Sequence, residues 1–181
     1  MSIIDFDVDT LSGMTPLRLV TYSLGSNLGD RLEYLQGATT LLNATPGMRV
    51  TAISSVYETD PVGLLDQPRF LNIIVQAESS LASTVMLERA HAIEEGFDRI
   101  RTVRYGPRTI DIDLIAVGDR VINNETLVLP HPRAHERAFV LVPWLEVDPA
   151  AELVGRGRVA ELVAALDTSG VRRRDDLVVE L

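Results

Sequence analysis

The feature that most constrains the fold is the run from Arg99 to Asp113, RIRTVRYGPRTIDID, with its apolar continuation to Val117. From Thr109 onward the residues alternate. Ile110, Ile112 and Leu114 fall on one parity, Asp111 and Asp113 on the other. In an extended strand, side chains two apart share a face, with Cα atoms roughly 6.5 to 7 Å apart. The pattern therefore predicts a strand over 109–117 with one aliphatic face for a core and one face bearing two carboxylates. Just ahead of it stand Arg99, Arg101, Arg104 and Arg108, with a Gly106-Pro107 turn among them. Four of seventeen basic residues thus crowd into ten positions of a chain whose net charge is −9, which is unfavourable unless anions sit there. Two carboxylates are hard oxygen ligands of the kind Mg²⁺ shares with phosphate oxygens, and guanidinium forks grip the same phosphates. Together they describe the handling of a polyphosphate by positioning and electrostatics. For the Asp-x-Asp pair alone, a solvated strand edge is the plain alternative, and the adjoining arginines argue against it.

All seventeen basic residues are arginine, so there is no lysine for a Walker-type phosphate loop, a protein-kinase strand or a Schiff base. If ATP is handled here, arginine and metal handle it. There is no cysteine, which excludes disulfides and thiolate chemistry and fits a reducing cytosol. The acidic balance and 5% aromatic content argue against a nucleic-acid binder. No apolar run approaches the roughly 20 residues that span a bilayer, and the N-terminus MSIIDFDVDT is acidic where a signal peptide would be basic. The expectation is one cytoplasmic domain over 16–181, able to bury roughly 70% of its unfolded surface, behind a mobile leader at 1–15.

Leu17–Leu24 reads as a buried strand running into the turn GSNLGD at 25–30. Asn27 or Asp30 can cap the helix that follows, whose stripe is Leu32, Leu35, Ala38, Leu41 and Leu42. Gly25 and Gly29 fit a tight turn better than a phosphate cradle, because the GxGxxG spacing is missing. Arg49–Glu58 alternates as a second strand, 59–68 is a loop of turn formers, and Phe70–Ala77 is a third strand hairpinned to the second. Asn72 inside that strand needs a partner if buried, and is either a structural bridge or the reader of a polar heterocycle. Ser83 can cap a helix from Thr84 to Phe97 with Val85, Leu87, Ala90, Ile93 and Phe97 inward, and His91 and Glu94 lie one turn apart on it as exposed neighbours. His131 and His135 have the spacing of two zinc ligands on a helix, but Pro132 disfavours helix there and HExxH is incomplete. Ala138–Val147 is an apolar helix with Trp144 as core, Arg158–Leu166 a last short helix, and Val171–Leu181 an edge strand or a tail. This order suits an α+β sandwich of the ferredoxin-like kind, an antiparallel sheet with helices packed on it.

The segments SLGSNLGDR at 23–31, YETDPVG and DQPRFLN across 57–72, GPRTIDIDLI at 106–115 and LPHPRAHERAFVLVPW at 129–144 resemble the 6-hydroxymethyl-7,8-dihydropterin pyrophosphokinase family. The resemblance implies transfer of pyrophosphate from ATP to the pterin hydroxymethyl oxygen, with release of AMP. Asp111 and Asp113 would hold two Mg²⁺ ions, and Arg99 and Arg108 would stabilise charge on the moving group. His91, Glu94, Arg101, Arg104, His131 and Arg137 would contact ATP. Thr59, Val62, Phe70, Asn72 and Phe139 would form the pterin pocket, the two rings sandwiching the substrate and Asn72 reading its edge, under a closing loop with Tyr105. The sequence departs from the family's pattern at Asp98, at Thr126, in a loop a residue short between Arg101 and Tyr105, and over 150–181. The expected partners are these small molecules, with no nucleic acid or membrane, and the expected state is a monomer. A non-catalytic ferredoxin-like Mg-ATP regulatory module would leave the pterin residues without a purpose. An RNA-binding module of similar topology is disfavoured by charge and by the missing aromatic strand.

Overall fold

The structure is a computed structural model that describes residues 16–97 and 107–181. The expected leader, 1–15, lies outside the described residues. Strand β1 (Arg18–Ser26) leads into helix α1 (Arg31–Asn43), then β2 (Met48–Ile53), β3 (Tyr57–Thr59) and β4 (Phe70–Ser79). Helix α2 (Ser83–Gly96) and β5 (Asp111–Val117) follow, with two small ribbons, β6 (Ile122–Asn123) with β7 (Val128–Leu129) and β8 (Glu152–Leu153) with β9 (Gly157–Arg158). Helices α3 (Ala138–Val147) and α4 (Val159–Ala164) and strand β10 (Val171–Arg173) complete the chain. The main sheet runs β10-β3-β4-β1-β5, with β2 beside β3 on the same edge of β4, and every pairing in it is antiparallel. This is the α+β, ferredoxin-like sandwich expected, with helices on both faces of the sheet.

Side-chain parity sorts the two faces. Val20, Tyr22 and Leu24 of β1, Leu71, Ile73 and Val75 of β4, and Ile112 and Leu114 of β5 meet Leu35, Ala38 and Leu42 of α1 and Met86, Ala90 and Ile93 of α2 in one core. On the opposite face Ile74 and Ile115 pack with Val140, Leu141 and Trp144 of α3 and Val159 of α4, so Trp144 is core as expected. Ser23 and the bare Gly25 on β1, Asn72 on β4, and Asp111 and Asp113 on β5 share the parity opposite to the first core. Burial of one face therefore delivers a line of polar groups to the other.

Local expectations were met unevenly. Asp30 caps α1, its Oδ1 accepting from Glu33 N–H at 3.1 Å. Leu41, expected inward, is exposed, and Thr39 takes the inward place with its hydroxyl donating to Leu35 O at 2.8 Å. Ser83 does not cap α2: it is the buried first residue of the helix, and Ala82 precedes it with no side-chain cap. The inward stripe runs through Met86 rather than Val85, keeping the four-three spacing with Ala90 and Ile93. The single second strand divides into β2 and β3. The break falls at Ser54, whose hydroxyl accepts from Ile74 N–H at 2.9 Å, while Ser55 N–H turns to Glu146 Oε1 of α3 at 3.0 Å.

Candidate active site

The site forms where β1, β4 and β5 run side by side. Gly25 of β1 is in register with Asn72 of β4 on one side and with Asp111 of β5 on the other, and Ser23 is in register with Asp113. With strands about 4.8 Å apart, Asn72 and Asp111 stand roughly 10 Å from one another across a residue with no side chain. Bareness there is a packing requirement, since a Cβ on Gly25 would lie 2.6 Å from Asn72 Oδ1 and 3.7 Å from Phe70 Cδ1. The sequence reading saw only a tight turn at this glycine.

One side of the line holds four of the residues expected to contact the pterin. Asn72 is buried, and its Nδ2 donates to Thr59 Oγ1 at 2.5 Å across the β3–β4 pair, so it is a bridge between strands. Phe70 ends the loop 60–69 that starts after Thr59, and exposed Val62 lies within that loop. The Arg108 guanidinium sits over the Phe70 ring at 5.7 Å, and that of Arg137 over Phe139 at 5.5 Å.

The same two arginines reach the carboxylates on the other side. Arg108 Nη1 donates to Asp111 Oδ2 at 2.6 Å, and Arg137 Nη1 to Asp113 Oδ2 at 2.9 Å. Each thus links one aspartate to one aromatic ring. Arg108 Nε is buried and has no partner among the described residues, a donor suited to a phosphate oxygen. Burial first, then repulsion from Asp111, raises the Asp113 carboxyl above its ordinary value, against the pull of His131 and Arg137.

Beside the aspartates opens a cleft of about 310 Å³ lined by His91, Glu94, Asp111, Asp113, Thr126, Leu127, His131 and Pro132. It gathers three of the residues expected at ATP. Glu94, expected to be exposed, is 2% exposed, and its Oε1 accepts from Ile112 N–H at 2.7 Å. Because β5 is the sheet's edge, that bond caps a backbone donor the ladder leaves open and locks α2 to the aspartate strand. His131 N–H donates to Ile115 O at 2.8 Å, and its Nδ1 accepts from Arg133 N–H at 3.2 Å. Burial pushes its imidazole below the ordinary value, outweighing the Asp113 carboxylate nearby. With Nδ1 accepting, the neutral form of the ring would carry its proton on Nε2, a donor for an anion. His135 is placed differently, on a 3-10 turn over Ala134–Glu136, and the described residues contain no group of three or more His, Cys, Asp or Glu able to hold a metal ion. Arg99, Arg101, Arg104 and Tyr105 lie outside the described residues.

The sequence reading missed one central residue. Asn27, treated as a possible helix cap, is 2% exposed and joins the two halves of the site. Its Nδ2 donates to Gln67 Oε1 and Pro68 O, both at 3.0 Å, at the end of the pterin-side loop. On the other side its Oδ1 accepts from Arg108 N–H at 2.9 Å, and its own N–H donates to Arg108 O at 3.2 Å. A buried asparagine with both side-chain polar atoms engaged in long-range bonds cannot be inferred from its neighbours in sequence, though its place in GSNLGD was a signal.

A ferredoxin-like sheet that presents paired carboxylates and arginines beside a cleft has the groups that an enzyme moving a phosphorus group from a nucleotide would use. The particular kind follows from comparison with known proteins. The chain belongs to the 7,8-dihydro-6-hydroxymethylpterin-pyrophosphokinase family, whose model matches residues 21–149. The 2-amino-4-hydroxy-6-hydroxymethyldihydropteridine pyrophosphokinase of Methylorubrum extorquens is 46% identical over 150 residues, covering 83% of this chain and 94% of that protein. The protein of the same name from Bacillus subtilis is 47% identical over 125 residues, 69% of this chain and 75% of that one. A crystal structure of Plasmodium falciparum HPPK-DHPS superposes with a TM-score of 0.65 at 17% identity, over 86% of this chain and 45% of that one, and shows the common fold. The chain is accordingly a pyrophosphokinase of folate biosynthesis, with ATP as co-substrate and hydroxymethyldihydropterin as acceptor. Among the described residues no helix is long and apolar enough to cross a membrane.

Proposed function

We propose that Asp111 and Asp113 hold two Mg²⁺ ions against the phosphates of ATP while Thr59, Val62, Phe70, Asn72, Tyr105 and Phe139 bind the pterin. The observation that carries this division is the register of Asn72, Gly25 and Asp111, which puts the amide and the carboxylate on one face of the sheet with a bare residue between them and so supports adjoining pterin and phosphate sites. The donor set fits the metal: two hard carboxylates on adjacent positions of one strand face leave further ligands to phosphate and water, as Mg²⁺ prefers. When bound, the ions neutralise phosphate charge.

The chain's own residues orient the reactants. His91, Glu94, Arg101, Arg104, His131 and Arg137 hold the nucleotide, with His131 donating through Nε2. Phe70 and Phe139 take the faces of the pterin ring and Asn72 its edge, so the hydroxymethyl oxygen is directed toward the aspartates. That oxygen attacks the β-phosphorus in line as its hydroxyl proton passes to solvent, the bond from that phosphorus to the α–β bridging oxygen breaks, and AMP leaves with that oxygen while the γ-phosphate stays on the transferred group. Arg99 and Arg108 stabilise the charge that develops, a task for prepositioned donors. The enzyme acts as a monomer in the cytoplasm, in keeping with a chain that lacks cysteine. Asp113→Ala tests the metal role. Asp113 stands on the polar parity, so the variant is expected to keep its circular dichroism and lose most turnover, whereas wild-type turnover at low Mg²⁺ would refute the assignment.

A further inference from the structure

The loop 60–69 separates Thr59 from Phe70, and both of its ends are held by residues that the site assignments do not use. Strand β10, beyond the family-matched 21–149, pairs with β3 so that Val171 stands opposite Thr59. Asp60 N–H donates to Gly170 O at 3.0 Å. Arg172 then grips the Asp60 carboxylate with both guanidinium nitrogens, Nη1 to Oδ1 at 3.0 Å and Nη2 to Oδ2 at 3.1 Å. From the other end of the loop Arg69 Nε reaches the same Oδ1 at 3.1 Å. Asp60 and Arg69 are the first and last residues of the loop, so the carboxylate closes it while the β10 fork fixes where the closure sits. Gly170 leaves room for this, since a Cβ there would lie 3.2 Å from Asp60 Oδ2. A second carboxylate repeats the device: Glu58 Oε1 pairs with Arg31 at 3.3 Å and Arg174 at 3.2 Å, and Arg31 Nη1 also donates to Arg69 O at 2.8 Å.

A solitary exposed ion pair contributes little to stability, and Arg172 and Asp60 are 45% and 46% exposed. This pair differs in what it acts on. It restrains the loop that leads from Thr59 to Phe70, which stand opposite one another in the β3–β4 pair, so its effect falls on substrate geometry rather than on unfolding. We propose that Arg172 is a positioning residue for the pterin: through its fork on Asp60 it holds the loop 60–69 in the form that lets Thr59 and Phe70 engage the ring. The claim rests on the proposed pterin pocket and gives the C-terminal strand a part in it.

The test is a comparison of wild type with Arg172→Gln, Asp60→Asn, the double variant and Arg172→Lys at saturating Mg-ATP, with hydrogen exchange of the 60–69 peptide followed in parallel. Arg172→Gln is expected to raise the pterin KM about two- to fivefold, the upper part of the range for losing a charged pair at the surface. The kcat, the ATP KM and the thermal midpoint stay near wild type, and exchange across 60–69 quickens. The double variant is no worse than either single one. Arg172→Lys, which keeps charge but loses the fork, recovers only part of the effect. High salt raises the wild-type pterin KM and leaves that of Arg172→Gln flat. An unchanged pterin KM with unchanged exchange overturns the proposal. So does a fall in kcat with a rise in both KM values alongside a lowered midpoint, which would mark a merely structural pair. If wild type forms no pterin-dependent AMP, the reading of the pocket fails instead, and exchange at 60–69 still decides whether Arg172 restrains the loop.

Discussion

Replacing Asn27 by aspartate exchanges one nitrogen for oxygen at the joint between the two halves of the site. Asn27→Asp keeps the acceptor that receives Arg108 N–H and turns the two donations, to Gln67 Oε1 and Pro68 O, into contacts between oxygens. Each lost bond is worth about 0.5–1.5 kcal/mol, and a buried acceptor left without a donor costs about 1–3 kcal/mol more. A loss of roughly 2–6 kcal/mol in unfolding free energy is therefore expected at pH 8. Because Pro68 stands two residues before Phe70, the pterin KM should rise by about tenfold or more as well. The pH dependence is specific. Burial raises the pKa of the new carboxyl, and once protonated it donates a single O–H to Pro68 O. The raised folded pKa means that the deficit is smallest below it and grows as pH rises through it. Urea unfolding and pterin saturation, each at pH 5.5 and pH 8, measure both effects. Equal urea midpoints and equal pterin KM values for variant and wild type at pH 8 would refute the account of Asn27 as the joint.

Gly25→Ala places a methyl 2.6 Å from Asn72 Oδ1, so pterin affinity should fall about tenfold or more while a non-hydrolysable Mg-ATP analogue still binds, as calorimetry would show. Glu146 gives a pH prediction for stability. Burial raises its pKa, but hydrogen bonds from the Tyr57 hydroxyl at 2.6 Å and from the Ser55 hydroxyl and N–H bring it below the usual carboxylate value. A depressed folded pKa contributes stability that is present above the unfolded value and lost as pH falls through the folded one. The thermal midpoint should drop as pH is lowered from about 5 toward 3, and drop less in Glu146→Gln. The same slope in both proteins would remove Glu146 from the explanation.

Local patterning made much of the fold legible. Alternation at Ile110, Asp111, Ile112, Asp113 and Leu114 placed the aspartates opposite a core face, and the structure keeps that parity. Asp30 before Arg31 marked the start of α1. What stayed hidden depends on distant partners. The division into β2 and β3 arises from Ser54 bonding Ile74 and Ser55 bonding Glu146, far away in sequence. Ser83 has the chemistry of a cap but is buried at the start of the helix, and Glu94 is polar on a helix face yet buried because an edge strand needs its oxygen. The two aspartates were legible from their spacing, and His91 and His131 only through the family resemblance. Asn27 and Arg172 were not, because a bridging amide and a surface fork acquire their roles only when the sheet brings 58–60, 67–70, 108 and 170–174 together.

The most direct test of the whole account is incubation of the full chain with Mg-ATP labelled at the β-phosphate and 6-hydroxymethyl-7,8-dihydropterin, followed by separation of nucleotides and pterins. Pterin-dependent AMP, with the β-label in the pterin product, is the predicted result. Formation of ADP, or tight Mg-ATP binding with no turnover when the pterin is present, would contradict it.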